Sequence, residues 1–338
     1  LVAEEVRDFA ENSELKVLFV ENQEQLEKAT AFVDEVDGLS KIVCFGAAEA
    51  TGHDAVMAFS TLVENGRKQQ NDYPTLFSDL SDAVTPGDLA TIVYTSGTTG
   101  VPKGAMISHQ NIMAVINCLD RIKPKFAYDS DQTVPFLPLS HVFERVAGHF
   151  YGMYVGLTAS YAESIDTFAQ DVKERRPTVV LAVPRVCEKV YQRILSQVEE
   201  QPAWKQKIFH WGHGIGTEIS ALREQKKPIP PLLNLKFKIA YKMIFKNLAD
   251  ALGGRVRWMT ASGAPTSREI VLFFNAAGIT VIEGYGMTET CAPATMSSLD
   301  DYKIGTVGKP LPGVDVKLAE DGEILVKGDN VFAGYWKM

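Results

Sequence analysis

Two short apolar runs near the start of the chain, KVLFV at 16–20 and KIVCF at 41–45, flank a charged stretch at 21–36 with helical spacing. Runs of β-branched and aromatic residues suit buried strands, and the stretch between them predicts a helix, so the three form a βαβ unit with parallel strands. A polar segment, 64–82, leads past Pro86 and Gly87 into a third run, LATIVY at 89–94, which reads as another buried strand. Ser108 stands where a helix N-cap belongs, ahead of Asn111, Val115, Ile116 and Leu119 at helical spacing. A second α/β lobe begins at 133–139, with TVVLAV (178–183) and GITVI (278–282) as strands and 268–277 as a helix. From 297 onward short alternating strands with Gly turns, such as 314–318 and 323–326, predict an antiparallel sheet or barrel. No repeat of fixed period occurs. The expected fold class is α/β: two parallel-sheet lobes, 1–120 and 133–296, followed by the beginning of a small antiparallel β-barrel at 297–338.

The stretch 187–252 differs in being long, helical and basic. Phe237, Tyr241, Ile244 and Leu248 follow helical spacing on one strip, and Lys238, Lys242 and Lys246 on another. Such an amphipathic helix either packs on its own protein or rests on an anionic membrane surface.

The strongest chemical signal follows the third strand. Residues 94–105 read YTSGTTGVPKGA, placing Gly97, Gly100 and Gly104 among the hydroxyls of Thr95, Ser96, Thr98 and Thr99, with Lys103 closing the run. Glycines let a backbone bend sharply and bring its N–H groups close to an anion, so the segment reads as a phosphate loop between a strand and a helix. The spacing is not that of a Walker A loop.

At these residues the chain resembles the adenylate-forming synthetases, the superfamily of acyl-CoA synthetases, luciferases and peptide-synthetase adenylation domains. The resemblance extends through LPLSHVFER (137–145), TASGAP (260–265), GYGMTET (284–290), GTVGKPLPG (305–313) and VFAGYW (331–336), in the family's order over most of the chain. It implies that Thr95, Ser96, Gly97, Thr98, Thr99, Gly100 and Lys103 hold the β and γ phosphates of ATP. Gly263, Ala264 and Pro265 would form one side of the adenine and acyl pocket, with Glu283, Gly284, Tyr285 and Gly286 opposite. Tyr285, between two glycines, has an aromatic face fit to stack on adenine. Thr288 would contact the α-phosphate. Glu289, a carboxylate among hydroxyls, suits Mg²⁺, a hard cation that shares oxygen ligands with substrate phosphates. His141 would lie near the reacting carboxylate and donate a hydrogen bond there. Some fatty acyl synthetases place a gating tryptophan just after this histidine, whereas here Glu144 and Arg145 occupy that stretch.

The basic helical insertion before TASGAP resembles that of long-chain fatty acyl-CoA synthetases, and the resemblance therefore implies activation of a long-chain fatty acid with ATP and CoA as co-substrates. A medium-chain or aryl-CoA ligase, a fatty acyl-AMP ligase, a luciferase-like oxidoreductase and a truncated nucleotide-binding module stay open as alternatives. The family's ribose-binding aspartate, hinge and adenylation lysine would lie beyond Met338, so the chain is expected to be part of a longer ligase that adenylates poorly in isolation.

Composition narrows the setting. The chain of 338 residues is 46% hydrophobic with a net charge of −8, enough apolar material for more than one core. The charge is uneven: residues 1–90 carry 18 acidic against 6 basic side chains, and 188–250 carry 11 basic against 6 acidic. No nucleic-acid motif accompanies those basic residues. Cys44, Cys118, Cys187 and Cys291 lack paired or metal-ligand spacing, so free thiols in a reducing compartment are expected, without a zinc site. No secretory leader or membrane-spanning run is present, which points to a cytoplasmic location, with peripheral membrane contact through the insertion as a further expectation.

Overall fold

A computed structural model describes residues 2–46, 52–95 and 102–338. The chain divides into two compact bodies, one running through Asp88 and the other spanning Leu89–Trp336.

In the first body the strands Val17–Val20, Lys41–Cys44 and Val56–Ala58 form a parallel sheet with Lys41–Cys44 in the centre. Ile42, Val43 and Cys44 are all buried, which is why that strand is a continuous apolar run rather than an alternating one. The helix between the first two strands is shorter than its periodicity predicts. It spans Gln23–Thr30, N-capped by Asn22, whose side chain accepts from the Gln25 amide at 3.1 Å. Beyond it Phe32, Val33 and Val36 stay buried, but the bonds from Glu35 to Phe32 and from Leu39 to Val36 close three-residue turns. Hydrophobic spacing is thus preserved where the α-helical hydrogen bonding stops. The polar segment 64–82 falls in the helices Phe59–Asp72 and Leu76–Asp82, separated at Pro74, and neither buries a residue.

The second body opens on a hairpin. Leu89–Thr95 pairs antiparallel with Lys103–Ser108, setting Thr95 opposite Lys103, and Gly334–Tyr335 adds a third strand beside Met106 and Ala105. The expected strand, loop and helix therefore needs a correction: a return strand intervenes, and Lys103 belongs to that strand. Ala105 and Ile107 are fully buried on one face of it. On the other face Gly104 leaves room for its cross-strand neighbours, because a Cβ there would come within 2.7 Å of Ile92 and 3.2 Å of the Tyr94 ring. The helix His109–Arg121 follows, with Ser108 and Asn111 forming a reciprocal capping box.

A second parallel sheet joins Val179–Val180, Trp258–Thr260 and Thr280–Ile282, and the helix Arg268–Ala276 makes the crossover between the last two. Phe273 and Phe274 on that helix are almost completely buried, each worth roughly 2–3 kcal/mol of apolar burial. The insertion folds as Pro184–Glu199, Ala203–Glu224 and Pro231–Ala240, continuing into Tyr241–Phe245 and Lys246–Ala251. Phe237, Tyr241, Ile244 and Leu248 pack with Phe245 and Ala240 into the core of this lobe, while Lys238, Lys242 and Lys246 face out. That strip is occupied by its own protein. Toward the end of the chain Asp315–Leu318 pairs antiparallel with Ile324–Lys327. All four cysteines are free and buried.

Asn111 links the start of its helix to residues far along the chain. Its Nδ2 donates to the carbonyls of Asp329 and Val331 at 2.8 and 2.9 Å, and its Oδ1 accepts from the Ser108 amide at 2.9 Å. Removing it takes away both of these donated bonds and leaves the Ser108 amide without its partner, all at a side chain that is itself buried. Asn111→Ala is expected to lower stability by about 2–4 kcal/mol in urea unfolding. Met113→Ala, half exposed on the same helix, should stay within about 0.5 kcal/mol. Equal effects of the two substitutions would refute the linking role.

Candidate active site

A cavity of about 550 Å³ opens where the hairpin, the turn at 139–143 and the segment 284–296 meet. The hairpin contributes Thr95 and Lys103, and the turn His141, Val142 and Phe143. Ser262 and Gly263 follow the strand Trp258–Thr260, and Tyr335 comes from the added strand.

The segment carrying Tyr285 and Glu289 is a bulged antiparallel pair, Gly284–Met287 against Ala292–Met296, closed by a turn at Thr288–Thr290. Gly286 is required by that pairing, since a Cβ on it would sit 2.0 Å from the Ala292 carbonyl oxygen. Buried Thr290 builds the turn: its hydroxyl lies 2.8 Å from the Ala292 carbonyl oxygen and accepts from the Met287 amide at 2.9 Å. Cys291 and Ala292 follow with φ of 53° and 95°, left-handed conformations that only a firmly held turn sustains. Thr288 and Glu289 are thereby presented on the cavity side of a rigid corner.

Glu289 is fixed from a second direction. The Tyr335 hydroxyl donates to its Oε1 at 2.5 Å, and the Phe332 amide donates to its backbone carbonyl at 2.9 Å. The carboxylate beside it pushes the Tyr335 phenol up to about 12, so the hydroxyl stays a donor through the physiological range. Lys103 Nζ lies 5.5 Å from the centroid of the Tyr335 ring, within cation–π reach. Among the described residues no group of three or more His, Cys, Asp or Glu side chains could hold a metal ion. A single carboxylate with one oxygen engaged nevertheless fits a cation that draws its other ligands from substrate phosphates and water, as Mg²⁺ does.

His141 follows Pro138, to whose carbonyl its amide donates at 2.9 Å. Its Nδ1 accepts from the Phe143 amide at 3.2 Å, which leaves the proton of the neutral ring on Nε2. More than a third of the residue stays open to solvent, yet the surrounding protein lowers its proton affinity below that of an ordinary histidine by desolvation. Arg145 holds this turn in place, donating through Nε to the Leu139 carbonyl at 2.6 Å and through its guanidinium to the Thr91 hydroxyl. Glu144 points inward: it is 1% exposed, and burial raises its carboxyl to about 7.

Of the residues expected from the sequence, the cavity brings together Thr95, Lys103, His141, Gly263, Gly284, Tyr285, Gly286, Thr288 and Glu289. Ala264, Pro265 and Glu283 are not among its walls. Glu283 instead accepts from the Gly305 amide at 3.1 Å. Ser96, Gly97, Thr98, Thr99 and Gly100 lie outside the described residues. Tyr335, Ser262 and Met296 line the cavity without having been expected. For Tyr335 the signal was present in VFAGYW, a segment matched without a role.

The AMP-binding enzyme family model matches residues 1–336. The chain belongs to that family. It is 31% identical over 335 residues to the long-chain-fatty-acid–CoA ligase FadD15 of Mycobacterium bovis, covering 99% of this chain and 54% of the relative. With the long-chain-fatty-acid–CoA ligase ACSBG2 of Xenopus laevis it shares 30% identity, covering 99% of this chain and 46% of that protein. The chain thus spans about half the length of these curated relatives. Among solved structures it is similar to an anthranilate CoA ligase, AuaEII, in complex with anthranoyl-AMP, with a TM-score of 0.68 at 16% identity, covering all of this chain and 55% of that one. The N-terminal domain of FACL13 from Mycobacterium tuberculosis aligns with a TM-score of 0.63 at 19% identity, covering all of this chain and 70% of that domain. These two likenesses establish the α/β fold.

The histidine geometry is directly measurable. In ¹⁵N-correlated NMR His141 should titrate with a midpoint below 6.5 and show a proton-bearing Nε2 at neutral pH. A midpoint above 6.5, or protonation on Nδ1, would contradict the geometry.

Proposed function

We propose that this chain forms the nucleotide- and acyl-binding part of an ATP-dependent, AMP-forming long-chain fatty acid–CoA ligase. What supports the reading is the convergence of Lys103, His141, Tyr285, Thr288 and Glu289 on one cavity in a member of the AMP-binding enzyme family. The relatives at about 30% identity, named as long-chain-fatty-acid–CoA ligases, support the substrate class.

A carboxylate is a poor electrophile, so joining it to a thiol requires its oxygen to become part of a good leaving group. In the proposed first half-reaction the fatty carboxylate oxygen attacks the α-phosphorus of ATP in line, the bond to the β-phosphate bridging oxygen breaks, and pyrophosphate leaves with that electron pair. In the second the thiol sulfur of CoA attacks the acyl carbon, the thiol proton passes to solvent, and AMP departs. Charge gathers on phosphate oxygens in the first step, and positioned cations and donors lower that barrier. Lys103, with Thr95 and the loop hydroxyls Ser96, Thr98 and Thr99, is assigned to the departing pyrophosphate. The protonated Nε2 of His141 is assigned as donor to the reacting oxygens, and Thr288 to the α-phosphate. Tyr285 is assigned to adenine, with Gly263 on one side and Gly284 and Gly286 on the other; Ala264, Pro265 and Glu283, which do not line the cavity, are assigned to it only as the neighbours in sequence of those glycines. Glu289 would hold Mg²⁺, which when bound supplies neutralisation of phosphate charge.

The division into lobes 1–120 and 133–296 with a barrel beginning at 297 belongs to the same proposal, as does a cytoplasmic location with peripheral membrane contact. The location is supported by four free, buried thiols and by the outward-facing lysines of the insertion. Among the described residues no helix is long and apolar enough to cross a membrane.

Exchange of labelled pyrophosphate into ATP by the complete polypeptide should depend on palmitate, and CoA should then yield palmitoyl-CoA. Glu289→Gln should slow the exchange by roughly 10²-fold. Failure of every carboxylate to support exchange would sink the ligase reading, and exchange without thioester would transfer the acyl group to an acceptor other than CoA.

A further inference from the structure

The helical insertion carries a second concavity, about 580 Å³, built entirely from residues 194–251 and Phe273. Its floor is the flank of a packed core, with Phe209, Phe245, Leu248 and Phe273 beneath and Ile194 and Val198 at the side. Its rim is unusual for a surface. Trp204 is 60% exposed and Met243 53% exposed, two large apolar side chains left in water at the mouth of an apolar groove.

The charge of this groove is as one-sided as its polarity. No aspartate or glutamate lines it, and its single charged residue is Lys205. The Lys205 ammonium lies 5.6 Å from the Trp204 ring centroid and donates to Gln201 Oε1 at 3.0 Å, so it is held at the rim beside the exposed indole. Gln197, Gln201 and Asn247 are neutral hydrogen-bonding residues of its lining. The surrounding stretch 188–250 is basic, 11 residues against 6 acidic. This lining suits an occupant that is apolar over most of its length and carries one negative charge at one end. The volume lies in the range that takes one small-molecule ligand, about 300–1,000 Å³, and matches one unbranched chain better than a two-chain lipid.

We propose that this groove binds the single chain of a long-chain fatty acid anion, its carboxylate against Lys205 and its alkyl chain on the floor between Trp204 and Met243. The site lies outside the cavity that holds Lys103, His141 and Glu289, and it stands whether or not that cavity activates fatty acids.

The test uses 9,10-dibromostearate, a heavy-atom quencher of indole fluorescence, titrated below its micellar concentration into the complete polypeptide without ATP. Saturable quenching is expected, and it should appear in the difference between the native protein and Trp204→Phe, which isolates this indole from Trp211, Trp258 and Trp336. Lys205→Glu should raise the half-saturating concentration roughly fivefold or more through the reversed charge. Circular dichroism and urea midpoints establish that both variants are folded. A variant that does not fold is replaced by photolabelling of the native protein with a diazirine-tagged palmitate, where the labelled peptides should include 194–209 or 243–251 and unlabelled palmitate should compete. Quenching that is absent, insensitive to Lys205→Glu, or seen only when anionic phospholipid vesicles are added would overturn the proposal, the last result assigning the face to a membrane. Because the readout needs neither ATP nor turnover, its failure is distinct from failure of pyrophosphate exchange.

Discussion

A hydrogen bond from the Tyr335 hydroxyl to the Glu289 carboxylate joins, at the wall of the cavity, two parts of the chain that lie 46 residues apart. Each partner is delivered by backbone geometry. Glu289 sits on a corner whose shape is set by the buried Thr290 hydroxyl and by two left-handed residues after it. Tyr335 sits on a short strand that is itself secured, with the Trp336 amide donating to the Gly104 carbonyl at 2.8 Å and Asn111 holding the approach at Asp329 and Val331. Asn330 donates from its buried side chain to the Thr290 carbonyl, fastening the approach to the corner as well. Since the same ladder positions Lys103, a cation, a phenol and a carboxylate arrive together at one wall of the cavity.

The electrostatic character of that wall follows from what each group is forced to be. Tyr335, pushed up to about 12, remains protonated, and His141 is neutral with its proton on Nε2. Among the described lining residues the charged side chains are then Lys103 and Glu289. A polyphosphate meets Lys103 favourably and Glu289 unfavourably, unless a divalent cation lies between the carboxylate and the phosphate oxygens. Under the proposed function, that cation would be the Mg²⁺ that accompanies the nucleotide.

Much of this was legible in the sequence where a physical period or a cap carried the information. The buried strand at 41–44, the Ser108 cap and the apolar strip from Phe237 to Leu248 are each dictated by local pattern. The return strand 103–108 was hidden because a lysine and a glycine open it, so its alternation begins only at Ala105, and the run merged with the glycine-rich loop before it. The early end of the helix at Thr30 was hidden for the opposite reason: the apolar spacing continues through turns that bury the same face. His141 and Glu289 were found through a family resemblance, since a lone histidine or glutamate has no periodic signature. Tyr335 and Asn111 act across 46 and 218 residues of sequence, and contacts at that separation leave no local trace.

Hydrogen–deuterium exchange with and without Mg²⁺–ATP reports directly on whether the corner, the return strand and the added strand form one nucleotide-facing surface. The account predicts that amides at 103–108, 284–290 and 332–336 gain protection together at the same nucleotide concentration. Protection confined to other segments, or acquired by one of the three without the others, would contradict it.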